Sequence, residues 1–324
     1  MPPPISATGW ALLALSVFLL LVGADARAVT AATRLVALDT PQEAGVQTLI
    51  MLLSYLTQYC VLGGLFEGTH PAGALRNSQP AARARRARQV AAEVRAGALS
   101  MAVTVALAVG YMALLEPRTP FYGFFETHAW SWRWGALGVL AYVAAFDTHF
   151  YWSHWLLHRV EWCWQNIHFF HHQYKEPSAF AQFAVHPVEA AIQGPFGHFF
   201  VQLFCPVHPV QLAIMGFLSS AYAFAAHDGR LLAITNFHYY HHSKGRGRLH
   251  YFNLGFLTPF WDVIMGTRWH AQHPLWLEWE AKKAAILDTR DGTAAGARND
   301  VFDAYAAADE AAPRKTRSGG KKAA

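Results

Sequence analysis

The 324-residue chain is short of charge: Asp, Glu, Lys and Arg make up 15% of it, against about a quarter in an average soluble domain. An ordinary cytosolic globule is excluded on that ground. Cysteine is as scarce. Cys60, Cys163 and Cys205 are the only three and form no CxxC pair, which excludes a disulfide framework and a thiolate zinc site. There is no HExxH segment of the zinc-protease kind, no pair of Glu-x-x-His helices of the soluble di-iron kind, and no Gly-rich dinucleotide loop. The chain is not disordered either, because 53% of it is hydrophobic and 14% aromatic.

In place of charge there are long uncharged runs. Ala44–Phe66 and Ala96–Leu115 contain no Asp, Glu, Lys or Arg, and each reaches the ~20 residues that cross a bilayer as a helix. Trp134–Phe146 is a shorter apolar run that meets Asp147 and then Phe150, Tyr151 and Trp152, as a helix end does in the headgroup belt. Trp10–Gly23 reads as a further short membrane helix, with a cleaved signal as the alternative. Ala190–Ala226 is uncharged but broken at Cys205-Pro206-Val207-His208-Pro209. It reads as two shorter helices that enter one leaflet. The expectation is an all-α integral membrane bundle of about four spans, with a cytosolic helical cap that carries a histidine-rich dimetal site.

Arg76, Arg83, Arg85, Arg86, Arg88 and Arg95 fall between two of the spans. The positive-inside rule puts such a segment in the cytosol, and its position argues against a nucleic-acid patch. The expected organisation is membrane helices over 1–135 with a basic cytosolic loop at 67–95, a catalytic domain over 136–287 and a flexible cytosolic tail over 288–324. That tail ends Lys321-Lys322-Ala323-Ala324. Lysines so placed resemble a dilysine retrieval signal, so the expected location is the endoplasmic reticulum membrane, multi-pass, with histidines and tail cytosolic.

Histidine is the residue in excess. All but two of the 18 lie between His149 and His273. Three clusters stand out: His154 with His158, then His168, His171 and His172, then His238, His241 and His242. Spacings of three and four residues bring side chains to one helix face, so each cluster presents two or three imidazoles in one direction. Eight donors suffice for two metals. Imidazole suits zinc, copper, iron and nickel alike, so spacing does not choose among them. His227 and His186 are further candidate ligands. Asp147 lies two turns before His154, and a carboxylate there is expected to orient a ligand ring through its other nitrogen. No catalytic residue beyond the metal centre is singled out.

These residues resemble the fatty acid hydroxylase/sterol desaturase superfamily. The resemblance rests on Asp147-x-x-x-Tyr151-Trp152-x-His154-x-x-x-His158, the two later clusters, and the close Asn253-Leu254-Gly255, Trp261-Asp262, Gly266-Thr267. It implies two iron ions, O2 as co-substrate, and electrons from NAD(P)H through cytochrome b5 or a similar carrier. Within the superfamily the chain is most similar to sterol C-5 desaturases, through His186-Pro187-Val188-Glu189, Pro195-x-x-His198-Phe199-Phe200, Pro206-x-His208 and His227-Asp228-Gly229. It departs from them at Phe183 and Phe237, where a histidine is usual. The implied partner is a membrane lipid, most simply a sterol. The alternatives are a fatty acid or sphingolipid hydroxylase, a sterol C-4 methyl oxidase, and, from another class, a non-enzymatic membrane metal-binding protein. Desaturation and hydroxylation both begin by removing hydrogen from an unactivated C–H bond, so one ligand set serves either.

Overall fold

The computed structural model describes residues 40–68, 80–174, 177–228, 238–244 and 251–269. Trp10–Gly23, Arg76, Phe237, His250 and the tail with Lys321 and Lys322 lie outside the described residues. Within them every regular element is helical.

Helix α1 (Pro41–Gln58) starts at a capping box. Thr40 Oγ1 accepts from the Glu43 N–H, while a Glu43 carboxylate oxygen accepts from Thr40 N at 2.8 Å. A π-helical turn, Tyr59–Gly63, carries it into Gly64–Gly68. Helix α2 (Pro80–Leu114) follows. The basic segment expected as a loop is therefore helical from Pro80 onward, its arginines forming the first turns of a membrane helix. Arg86 makes a paired ion contact there with Glu67 at 2.8 Å.

Helix α3 (Trp132–Arg159) is capped by Ser131 and buries Tyr142, Phe146, Asp147, Tyr151, His154 and His158. The chain then turns back through His168 and the short helix α4 (Phe169–His172). It next runs down the bundle in pieces, α5 (Pro187–Gln193), α6 (Pro195–Phe199) and a 3-10 turn at Phe200–Leu203. Helix α7 (Pro209–Asp228) returns as one unbroken element. Two short helices complete the fold, α8 (His238–Lys244) and α9 (Phe260–Ile264).

Three stretches among the described residues are long and apolar enough to cross a membrane: Gln42–Gly68, Arg83–Arg118 and Pro209–Asp228. The break expected at Cys205–Pro209 is present, between the 3-10 turn and α7; the part before it is divided again at Gly194, whereas α7 is unbroken and by length and composition a candidate span. Helix α3 is not among the three. Its apolar run is cut by Asp147, Thr148 and His149, all turned toward protein.

Helix α7 lies between two apolar clusters. One side meets Tyr142, Phe146 and Phe150 of α3, and the other meets Tyr59 of the α1 extension and Met101 of α2. Near its start Gln211 Nε2 donates to Gly135 O at 2.7 Å. Gly138 permits that approach, since a Cβ there would stand 2.8 Å from the Gln211 amide. The C-terminal ends of α3 and α7 and the arginine-bearing end of α2 therefore share one end of the bundle. Ser100 Oγ on α2 donates to Val185 O, just before α5, at 2.6 Å.

Candidate metal centre

At that end nine buried imidazoles converge in two groups. His154, His158, His168, His172 and His241 form one, and His171, His227, His238 and His242 the other. Within each group the ligand atoms lie within 4.8 Å of one another. All eight clustered histidines are present, and the structure adds His227 from the last turn of α7.

The partition differs from the expectation that each cluster aims one way. At the start of α4, His168 of the preceding turn and His172 face the first group and His171 the second; in α8, His238 and His242 turn to the second and His241 to the first. Residues i and i+4 sit about 40° apart around a helix, while i+3 falls on the other side of i. Each helix thus supplies a pair to one centre and a single ring to the other. A π-helical turn, Trp164–His168, leads into α4 and sets its rotation.

Ring orientation is set from outside. His154 Nδ1 donates to Leu254 O at 2.9 Å and His241 Nδ1 to Phe252 O at 2.8 Å. His171 donates to Ala184 O at 3.2 Å and His227 to Ala223 O at 2.7 Å. A carbonyl only accepts, so the proton sits on Nδ1 and each Nε2 presents a lone pair inward. His168 Nδ1 lies 2.8 Å from Glu189 Oε1.

Those inward nitrogens stand at hydrogen-bond distance from more neighbours than their protons can serve. Nε2 of His154 is 3.1 Å from that of His168 and 3.2 Å from that of His158, which is 3.1 Å from that of His241. With lone pairs on His154 and His241, these contacts cannot all be hydrogen bonds. In the second group the His238 Nδ1 and both His242 nitrogens are buried with no partner among the described residues. A cation at each centre resolves both defects. For donors at right angles, spacings of 3.0–3.2 Å place a centre about 2.2 Å from each, close to a metal–imidazole bond of ~2.0–2.1 Å. The residues present fit a pair of metal ions.

Burial, followed by the charge of neighbouring imidazoles, pushes His171, His172, His238 and His242 well below the usual histidine range. Neutral rings are the form that binds metal. Burial alone raises the Glu189 carboxyl well above its ordinary value. A cation on His168 is the charge that would hold it ionised.

Two expectations are corrected. His186 joins neither group. It caps α5, with Nδ1 accepting from Val188 N at 3.2 Å, because Pro187 starts a helix there and the preceding residue takes the cap. Asp147 orients no imidazole; its two oxygens accept from Leu257 N at 2.8 Å and Thr258 N at 2.7 Å. The acid that does meet a candidate ligand ring is Glu189, which sequence reasoning did not single out. Its signals were its place in His186-Pro187-Val188-Glu189 and as the last charge before a run of thirty-seven uncharged residues. Asp262 was also missed as a supporting residue. It accepts from Leu254 N at 2.9 Å, Gly255 N at 2.8 Å and Thr267 Oγ1 at 2.7 Å. Asp147 and Asp262 thereby brace the loop whose carbonyls hold His154 and His241. His198 and His149 make packing contacts, His198 Nδ1 to Tyr142 Oη at 2.6 Å and His149 Nε2 to Ile192 O at 2.8 Å.

Residues 139–267 match the family model described as Fatty acid hydroxylase. The chain resembles the fatty acid hydroxylase/sterol desaturase superfamily. All nine histidines, Glu189 and Asp262 lie inside this hydroxylase-like segment. Among curated proteins the chain is 28% identical over 103 residues to a Delta(7)-sterol 5(6)-desaturase of Gibberella zeae, covering 32% of this chain and 31% of that one. It is 30% identical over 88 residues to a cholesterol 25-hydroxylase-like protein of Caenorhabditis elegans, covering 27% and 29%. A lathosterol oxidase of Rattus norvegicus is 28% identical over 138 residues, covering 41% and 46%. The chain thus spans less than half the length of these relatives. No solved structure gives a significant match.

Proposed function

We propose that this protein is a membrane-bound, iron- and O2-dependent lipid oxidoreductase of the fatty acid hydroxylase/sterol desaturase superfamily, acting on a sterol by desaturation at C-5. The observation that carries the reading is the convergence of nine buried imidazoles in two groups, five donors in one and four in the other. Bound iron would supply the oxidising power to remove hydrogen from an unactivated C–H bond, with O2 as oxidant and electrons from a cytochrome b5-type donor. The chain's part is to hold and orient. Leu254, Phe252, Ala184 and Ala223 fix four rings through their carbonyls and Glu189 fixes a fifth.

A cavity beside the histidines supports a lipid substrate. It is lined by imidazoles of both groups, including His154 and His171, and by Phe146, Phe150, Phe183 and Phe256. Tyr55, Thr104 and Ser219 also line it, from the three membrane-length helices, so an apolar molecule could reach the histidines from the bilayer. Phe183, standing where sterol C-5 desaturases usually have histidine, is a wall of this cavity. That favours a change in pocket shape over a lost ligand. Sterol-acting relatives support the substrate class. The arginines of α2 share the histidine end of the bundle, which supports a cytosolic site; the endoplasmic reticulum is the proposed membrane.

The deciding experiment is expression in cells that lack their own sterol C-5 desaturase, with sterols and acyl chains profiled together. Restored 5,7-diene sterols are the expected result. New 2-hydroxy acyl chains with sterols unchanged would move the assignment to the hydroxylases. Metal-loaded protein that forms no oxygen-dependent lipid product would make it a metal-binding protein without turnover.

A further inference from the structure

The same cavity contains polar groups that the metal centre does not use. Ser219 Oγ is engaged with Tyr142 Oη at 3.0 Å, and Ser220 Oγ accepts from Gln182 Nε2 at 2.9 Å. Two amide atoms are left over. Gln182 Oε1 and Gln193 Nε2 are buried, and neither has a hydrogen-bond partner among the described residues. Both side chains line the cavity. Beside the apolar and aromatic walls, and apart from Glu189 Oε2 and His238 Nδ1 at the histidine side, which are also unpartnered, an orphaned amide acceptor and an orphaned amide donor point to a ligand that satisfies both.

The pair discriminates among oxygen groups. An alcohol gives one hydrogen and accepts another, so its chemistry matches both a free acceptor and a free amide hydrogen in one cavity. A carboxylate, ester or ketone only accepts and leaves Gln182 Oε1 unmet. Position adds a second constraint. Gln193 and Glu189 are four residues apart on α5 and so share a face, about 5–6 Å between side-chain origins. Glu189 holds His168. A hydroxyl at Gln193 therefore sits within about a helical turn of the residue that orients a candidate metal ligand.

We propose that Gln182 and Gln193 bind the hydroxyl of an alcohol-bearing lipid and so set which carbon faces the histidine groups. The assignment deepens the sterol oxidase reading and rests on it for the identity of the lipid. Ceramides also carry hydroxyls, so the shared chemistry is the alcohol and the test separates the sources.

The test uses full-length, iron-loaded protein in detergent. Binding of a radiolabelled Δ7 3β-hydroxysterol, of its 3-deoxy analogue and of a ceramide is measured with turnover and iron content. Wild type is expected to favour the hydroxysterol over the deoxy analogue by at least about tenfold. In Gln193→Leu and Gln182→Leu that ratio falls toward one with iron content unchanged; Gln193→Met is the milder replacement should a Leu variant fold poorly. Equal affinity of wild type for the two sterols, or an unchanged ratio in the variants, would overturn the proposal. Ceramide bound tightest through the same glutamines would keep hydroxyl recognition and overturn the sterol as its source. Hydroxysterol preference without oxygen-dependent turnover would support the glutamines and overturn the oxidase reading.

Discussion

Glu189 and His168 face one another in a fully enclosed contact, Oε1 to Nδ1 at 2.8 Å, each side chain only 1% exposed. A carboxylate behind a ligand imidazole fixes its rotation and raises its basicity. Glu189→Ala is therefore expected to lower metal affinity by about 10–100-fold, with Glu189→Gln falling short of that because its amide oxygen still accepts from Nδ1. Iron titration of the purified variants decides. Wild-type affinity in Glu189→Ala would remove the residue from this role.

His227 and His186 make a matched pair, since both were candidates in the sequence and only His227 reaches a group. His227→Ala leaves three imidazoles in the second group, and the metal content is expected to fall from about two ions per chain toward one. His186→Ala should retain two, at the cost of a cap and about 1 kcal/mol of stability. Elemental analysis separates the two outcomes.

Asp262 braces the loop that holds His154 and His241. Asp262→Ala orphans the N–H groups of Leu254 and Gly255, which costs about 1–3 kcal/mol for each buried group left unpaired. A lowered melting temperature together with weakened iron binding is expected. Lost stability with iron affinity intact would mean that the loop supports the fold and not the centre.

Acid should act on the histidines in a fixed direction. His171, His172, His238 and His242 are held well below the usual range by burial. As pH falls below about 6.5 the unfolded chain takes up protons that the native chain refuses, so stability declines with falling pH. Metal-free protein should melt at a lower temperature at pH 5.5 than at pH 8, and loaded protein should release metal over the same window. A melting temperature independent of pH between those limits would contradict the neutral, buried state of these rings.

Much of the site was legible because its spacing is local. His154 with His158 lies on the long helix α3 and the two i, i+3, i+4 trios on short helical segments, whose geometry is known before the fold is. The uncharged runs 44–66 and 96–115 were legible for the same reason, since span length and lack of charge are properties of a segment. The role of His186 was readable too, and was misjudged: a residue before Pro at a helix start is a capping position first.

What the sequence determined by itself, then, is that this is a helical membrane chain with eight clustered imidazoles on rigid scaffolds. Only the tertiary structure decided which rings share a group, that His227 joins them, and that Glu189 rather than Asp147 backs one of the clustered imidazoles. Asp147 bonds Leu257 and Thr258, 110 and 111 residues away, and His158 meets His241 across 83. Contacts over such separations depend on how α3, α4, α7 and α8 cross, and the crossing is set by packing around Phe146, Phe150 and Phe224. No periodicity within one segment encodes it, because helix rotation is fixed by the neighbours a helix buries against.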